Sequence, residues 1–69
     1  MQRTPVKSSM IVSVGYDEAT HSMEVEFNDG SIYTYSDVPV TVHAELVSAE
    51  SQGKFFWSHI RNKYDFIRG

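Results

Sequence analysis

Two tyrosines one residue apart, Tyr33 and Tyr35 in the stretch FNDGSIYTYSDVP, are the side chains of this sequence best suited to hold a flat ligand. In an extended strand that spacing puts both rings on one face. Such a pair serves either as core filling or as a stacking platform for a base. The cations a phosphate would need lie further on, at Lys54, Arg61 and Lys63. Tyr33, Tyr35, Lys54, Arg61 and Lys63 are therefore the candidate set for binding RNA or a nucleotide. The segment KFFWSHI adds three consecutive aromatics, Phe55, Phe56 and Trp57. One helix cannot turn all three toward the same core. With Phe56 inward, Phe55 or Trp57 is left at least partly exposed, and both are candidates for a protein interface, through self-association or docking on another protein.

Nothing else in the chain assembles into reactive chemistry. Ser8 and Ser9 stand at a strand entrance with no histidine spaced to serve as base, so their expected role is to bond nearby backbone. His21, His43 and His59 fall in separate segments, none at metal-ligand spacing. Glu24 and Glu26 are two apart on a strand, which reads as solvated strand-face charge. No catalytic residue, metal ligand or cofactor is expected, and the chain reads as a non-enzyme.

Size and charge narrow the partners. Sixty-nine residues make one domain, with no cysteine for disulfides or zinc thiolates. The net charge of −3 is uneven. Lys54, Arg61, Lys63 and Arg68 face only Asp65 in residues 54–69, while Arg3 and Lys7 face eight acids before them. An acidic chain with so few cations is unsuited to long duplex DNA but can attract an anion locally at its C-terminal end. No apolar run is long enough for a membrane span or signal peptide, so a cytoplasmic protein with no membrane partner is expected.

The elements that must position these residues emerge from pattern. Residues 1–7 read as a flexible lead-in, and residues 8–69 as a single domain. SMIVSVGY is a first strand, with Met10, Val12, Val14 and Tyr16 sharing one face and Ile11, Ser13 and Gly15 the other. SMEVEFN alternates, with Met23, Val25 and Phe27 inward. SIYTYS is a third strand. The turn between the last two decides where the tyrosines point. A two-residue turn on Asp29-Gly30 sets Tyr33 and Tyr35 opposite Glu26 and Glu24. A three-residue loop on Asn28-Asp29-Gly30 sets them across from Val25 and Met23, because one residue of slip reverses a strand. The second register gives the more amphipathic sheet and is the favoured one. Asp37 reads as a cap or turn former, Pro39 as the first turn of a helix, and Val42, Leu46 and Ala49 as its apolar positions. Gly53 reads as its stop. A second helix over KFFWSHIRNKY would carry Phe56, Ile60 and Tyr64 on one stripe, and DFIRG is a short aromatic tail. The expectation is an α+β fold: a three-stranded antiparallel meander, then two C-terminal helices on one face.

SSMIVSVGYD, MEVEFNDGSIYTYSDVP, AELVSAESQGKFF and IRNKYDF together resemble the KTSC domain, from about Ser8 to Phe66. This short domain occurs at the C-terminus of some lysyl-tRNA synthetases and as a stand-alone protein in bacteria and their phages. Tyr33, Tyr35, Val38 and Pro39 are the most specific part of the match. The stretch SQGKFF, residues 51–56, also looks like the family. Trp57 departs from the small polar residue often found after the second aromatic, which marks a local interface. The resemblance implies a fold-sized unit, and an RNA-binding role has been suggested for the family. The expected function is a small binding module for RNA or a nucleotide; the alternative is a protein-interaction or homo-oligomerisation module, a bacterial or phage accessory factor docking through the second helix.

Overall fold

The computed structural model describes residues 3–6 and 8–69. Its elements run β1 (Arg3–Pro5), β2 (Ile11–Asp17), β3 (Ser22–Phe27), β4 (Ile32–Tyr35), α1 (Val40–Ser48), α2 (Gln52–His59) and β5 (Phe66–Arg68). All neighbouring strands are antiparallel, in the order β1-β2-β3-β4-β5. Both helices lie in the single connection from β4 to β5. The α+β class with two helices stands, but the sheet has five strands rather than three. The two extra strands are the short edges. Arg3–Pro5 falls inside the segment expected as a flexible lead-in, and Phe66–Arg68 inside the expected tail. Three residues are too few to display alternation in sequence. They pair because a three-stranded meander would otherwise leave backbone donors and acceptors unmatched along both edges. Met1, Gln2 and Lys7 of the lead-in lie outside the described residues.

One sheet face carries the core. Val14, Met23, Val25 and Tyr35 meet Leu46, Phe56 and Ile60, all essentially enclosed. At about 0.8 kcal/mol per buried methylene, this cluster is the main favourable contribution in so small a chain. The opposite face is polar across the first three strands. There the Arg3 guanidinium lies 3.1 Å from Glu24 and 3.6 Å from Glu26, and Ser13 donates to Glu26 at 3.0 Å. The two glutamates thus bracket a cation.

The strand faces of β2 differ from expectation at its start. Ile11 pairs with Phe27 while Ser13 pairs with Glu26, so Val12 is bulged out of the ladder. The extra residue shifts the alternation by one. Ile11 therefore turns into the core at 1% exposure, and Val12 is 43% exposed. The β3–β4 register is the favoured one: Val25 faces Tyr33 and Met23 faces Tyr35. The Phe27 amide donates to the Ser31 carbonyl at 2.9 Å, and Gly30 adopts φ 90°, which only glycine accepts at low cost.

The helix boundaries are set by caps. Pro39 is the N-cap of α1 without a side-chain bond, whereas Asp37 forms the preceding turn with φ 57°. Gly53 is not the stop expected for the first helix. It lies within α2, which begins because the Ser51 hydroxyl accepts from the Lys54 amide at 3.3 Å. A Cβ on Gly53 would touch Met10 at 3.5 Å, so the helix passes close to the strand entrance. α2 ends earlier than expected: Ile60, at φ −121°, caps it, and Tyr64 packs from the turn beyond.

Candidate functional site: an aromatic groove between sheet and helix

The open question about the tyrosines resolves into a division of labour. Tyr35 is 2% exposed and belongs to the core, while Tyr33 is half-buried beside it, ring centroids 6.4 Å apart. Phe66 on β5 extends the row, 5.2 Å from Tyr33 and 5.5 Å from Tyr35. Phe27 on β3 meets Tyr33 edge-on at 5.4 Å, and Phe56 on α2 meets Phe27 and Tyr35 edge-on at 5.2 and 5.6 Å. Edge-to-face pairs of this kind hold aromatic clusters in fixed orientation.

These rings line a groove of about 430 Å³. One end is the β3–β4 turn, with Asn28, Asp29 and Ser31; the other is the last turn of α2 and the segment just beyond it, with Trp57, Arg61 and Asn62. Trp57 is half exposed, its indole N–H pointing to the Met10 sulfur at 3.1 Å. The Arg61 guanidinium lies 3.7 Å over the Trp57 ring, a close cation–π arrangement. Arg68, on β5, lies 5.8 Å over the Tyr33 ring. The turn end carries the Asp29 carboxylate with Arg68 near it, and the helix end the Arg61 guanidinium. Hydrogen bonds from the Ser31 hydroxyl and amide, aided by Arg68, hold the Asp29 carboxyl below its ordinary pKa.

The structure brings Tyr33, Tyr35, Arg61 and Trp57 to this one groove. Lys54 and Lys63 do not line it. Lys54 is exposed on the first turn of α2, and its amide is already taken by the Ser51 cap. Lys63 is exposed in the turn after the helix. Phe55 is half-buried and tilted against His59 at 4.6 Å, so of the two interface candidates Trp57 is the exposed one. Sequence reasoning did not assign Met10, Phe27, Asn28, Asp29, Phe66 or Asn62 to the site. The aromatic in DFIRG was the available sign for Phe66, since an aromatic tail after a helix needs a surface to cover. Among the described residues no group of histidine, aspartate and glutamate is arranged to hold a metal ion. Among the described residues no helix is long and apolar enough to cross a membrane.

Burial pushes the Tyr35 hydroxyl up to about 12, with the neighbouring Tyr33 a smaller contributor. A raised folded-state value means that the unfolded chain ionises first, near the ordinary value of 10.0. The stabilisation from Tyr35 is therefore intact below pH 10 and is lost as pH rises through about 12. Urea midpoints of the wild type are expected to fall across that window more steeply than those of Tyr35→Phe. Parallel curves would place the ionisation elsewhere.

A five-stranded antiparallel sheet roofed by two short helices, with a Tyr-x-Tyr strand flooring the groove, has close counterparts. Residues 7–64 match the KTSC domain. A KTSC domain protein from Yersinia pestis, of known crystal structure, superposes with a TM-score of 0.94 at 39% identity, covering 99% of this chain and 96% of that one. An uncharacterised protein of Stutzerimonas stutzeri is 41% identical over 56 residues, 81% of this chain and 79% of its own length. A lysine–tRNA ligase of Trichormus variabilis is 37% identical over 60 residues, 87% of this chain. The match spans only 11% of that ligase. This chain belongs to the KTSC domain family.

Proposed function

We propose that this chain is a non-enzymatic binding module that takes an unpaired RNA nucleotide, or a free nucleotide, into the aromatic groove. The observation that carries the reading is the groove itself: stacking surface and a guanidinium in one concavity of about 430 Å³. That volume lies in the range of small-ligand sites, and aromatic rings beside arginine are how proteins hold single unstacked bases. The relative named as a lysine–tRNA ligase adds a context in which RNA is at hand. Arg61 lines the groove and Arg68 borders it, so one or two phosphates are engaged rather than a long backbone.

Titrating a short single-stranded RNA against the protein, monitored by Trp57 fluorescence at increasing salt, tests this. Affinity is expected to fall with a shallow slope, about −0.7 per phosphate contacted in a plot of log affinity against log salt. Arg61→Ala plus Lys63→Ala is expected to weaken binding and flatten the slope, with most of the loss from Arg61. Lys54→Ala is expected to change little. Binding that ignores both salt and the double substitution would remove the phosphate from the reading.

A protein-docking role is the second reading, favoured by one observation. Trp57 and Phe66 are each 50% exposed beside the groove, Phe66 on an edge strand. Such a rim suits a second copy or another protein.

A further inference from the structure

We infer that β5 is a dimerisation strand: two copies of this chain pair their β5 edges antiparallel about a two-fold axis, whatever the groove holds. The inference starts from where backbone groups point. The Ser36 amide donates to the Asp65 carbonyl at 2.9 Å and the Gly69 amide to the Ile32 carbonyl at 2.7 Å, with Thr34 opposite Ile67 between them. Asp65, Ile67 and Gly69 therefore turn their backbone groups toward β4. By alternation, the N–H and C=O of Phe66 and Arg68 point to the open side. β5 ends the sheet, and every residue from Asp65 to Gly69 is exposed, Ile67 at 71%. The opposite edge is blunted. The Val6 amide donates to the Val12 carbonyl at 3.2 Å, so Pro5, one residue earlier on β1, faces outward, and proline has no N–H to offer a further strand. β5 has neither proline nor bulge to discourage pairing.

The occupant follows from the strand's own chemistry. Centred on Ile67, an antiparallel copy sets Phe66 opposite Arg68 on both sides of the axis, each pair exchanging its outward N–H and C=O groups. On the groove face the Arg68 guanidinium, already 5.8 Å over Tyr33, then has an aromatic ring on its other side as well, Phe66 of the second copy. On the opposite face Ile67 meets Ile67 in the non-hydrogen-bonded pair, where side chains come closest, and the most exposed large apolar side chain among the described residues is covered. Sliding one strand toward its end sets Arg68 against Arg68, like charges face to face. Sliding it the other way sets Phe66 against Phe66 and carries Arg68 past the end of its partner strand. Charge and hydrogen bonding thus agree on one register, and the strand is complementary to itself.

Sedimentation equilibrium over a concentration series, together with single cysteines, tests the inference. So short a strand makes a small interface, so the wild type is expected to move from monomer toward twice its mass as concentration rises. Ile67→Lys sets two ammonium groups face to face and should leave only monomer. Arg68→Pro removes an outward N–H from each copy without touching the bonds to β4, and should weaken the dimer about tenfold. Circular dichroism should show both variants folded. The chain has no cysteine, so Ile67→Cys places a lone thiol at the two-fold axis, where paired Cα atoms about 4.5 Å apart suit a disulfide. Oxidised glutathione is expected to cross-link it far faster than Val12→Cys, a position 43% exposed away from β5. A monomer at every concentration overturns the inference, as does cross-linking of Ile67→Cys no faster than of Val12→Cys. A dimer lost on Trp57→Lys but not on Ile67→Lys runs through the groove rim, which overturns the strand pairing and leaves the docking reading standing.

Discussion

Phe56→Ala is expected to remove a large share of the protein's stability, a far larger effect than any surface substitution would have. Phe56 is 3% exposed and wedges edge-on against both Phe27 and Tyr35, joining α2 to β3 and β4. Removing a buried phenylalanine ring costs about 3–5 kcal/mol, the transfer term plus the cavity left behind. The total stability of a domain this size is on the order of 3–10 kcal/mol. α2 has eight residues and cannot persist as an isolated helix, so nothing local holds it once the wedge is gone. Thermal unfolding monitored by circular dichroism is expected to show a midpoint lowered by at least ~12 °C, or no cooperative transition. Phe55→Ala, at the half-buried neighbouring position, should cost about 1 kcal/mol. If the two substitutions had equal and small effects, Phe56 would not be the pin between helix and sheet.

That contrast was legible in the sequence, because three aromatics in a row on a helix must divide between core and surface. So was the tyrosine register, because the three-residue loop on Asn28-Asp29-Gly30 gives the more amphipathic sheet. The parts that escaped share a cause: they depend on partners distant in sequence. The Val12 bulge reverses Ile11 and Val12 because β3 offers one position, Phe27 or Glu26, at a time. Arg3–Pro5 and Phe66–Arg68 become strands only because β2 and β4 have open edges to complete. Gly53 resembles a helix terminator locally and is instead accommodated inside α2, where the Ser51 cap and the approach of Met10 define its place. The groove is the furthest from local pattern. Its walls come from the β2 entrance, the β3–β4 turn, the end of α2 and β5, and only the sheet brings Phe66 beside Tyr33. Lys54 illustrates the converse. Charge on the same helix as Arg61 suggested a common site, but a helix distributes its ends, and only the C-terminal one opens on the rings.

Trp57→Ala separates the two functional readings and is expected to have the largest effect on binding. The residue is half exposed, so its loss should move stability by no more than about 1 kcal/mol, and the domain remains folded. Its ring is nonetheless the groove wall on which Arg61 rests, and Arg61 loses its support along with it. With that wall gone and the guanidinium it positions set loose, affinity for single-stranded RNA should drop roughly fivefold or more, on the order of one lost charge-assisted contact. Anisotropy of a labelled oligonucleotide reads this without depending on tryptophan fluorescence. Trp57→Phe keeps a flat ring and should recover much of the loss, which a merely structural role for the indole N–H to Met10 would not allow. Under the docking reading the pattern differs. Trp57→Lys would lower the mass seen by light scattering, or abolish capture of a partner, while substitutions at Arg61 and Lys63 left both unchanged. An unaltered monomer in wild type and Trp57→Lys, together with RNA affinity indifferent to Trp57→Ala, would deprive the groove of either role and leave Trp57 as surface cover for Met10.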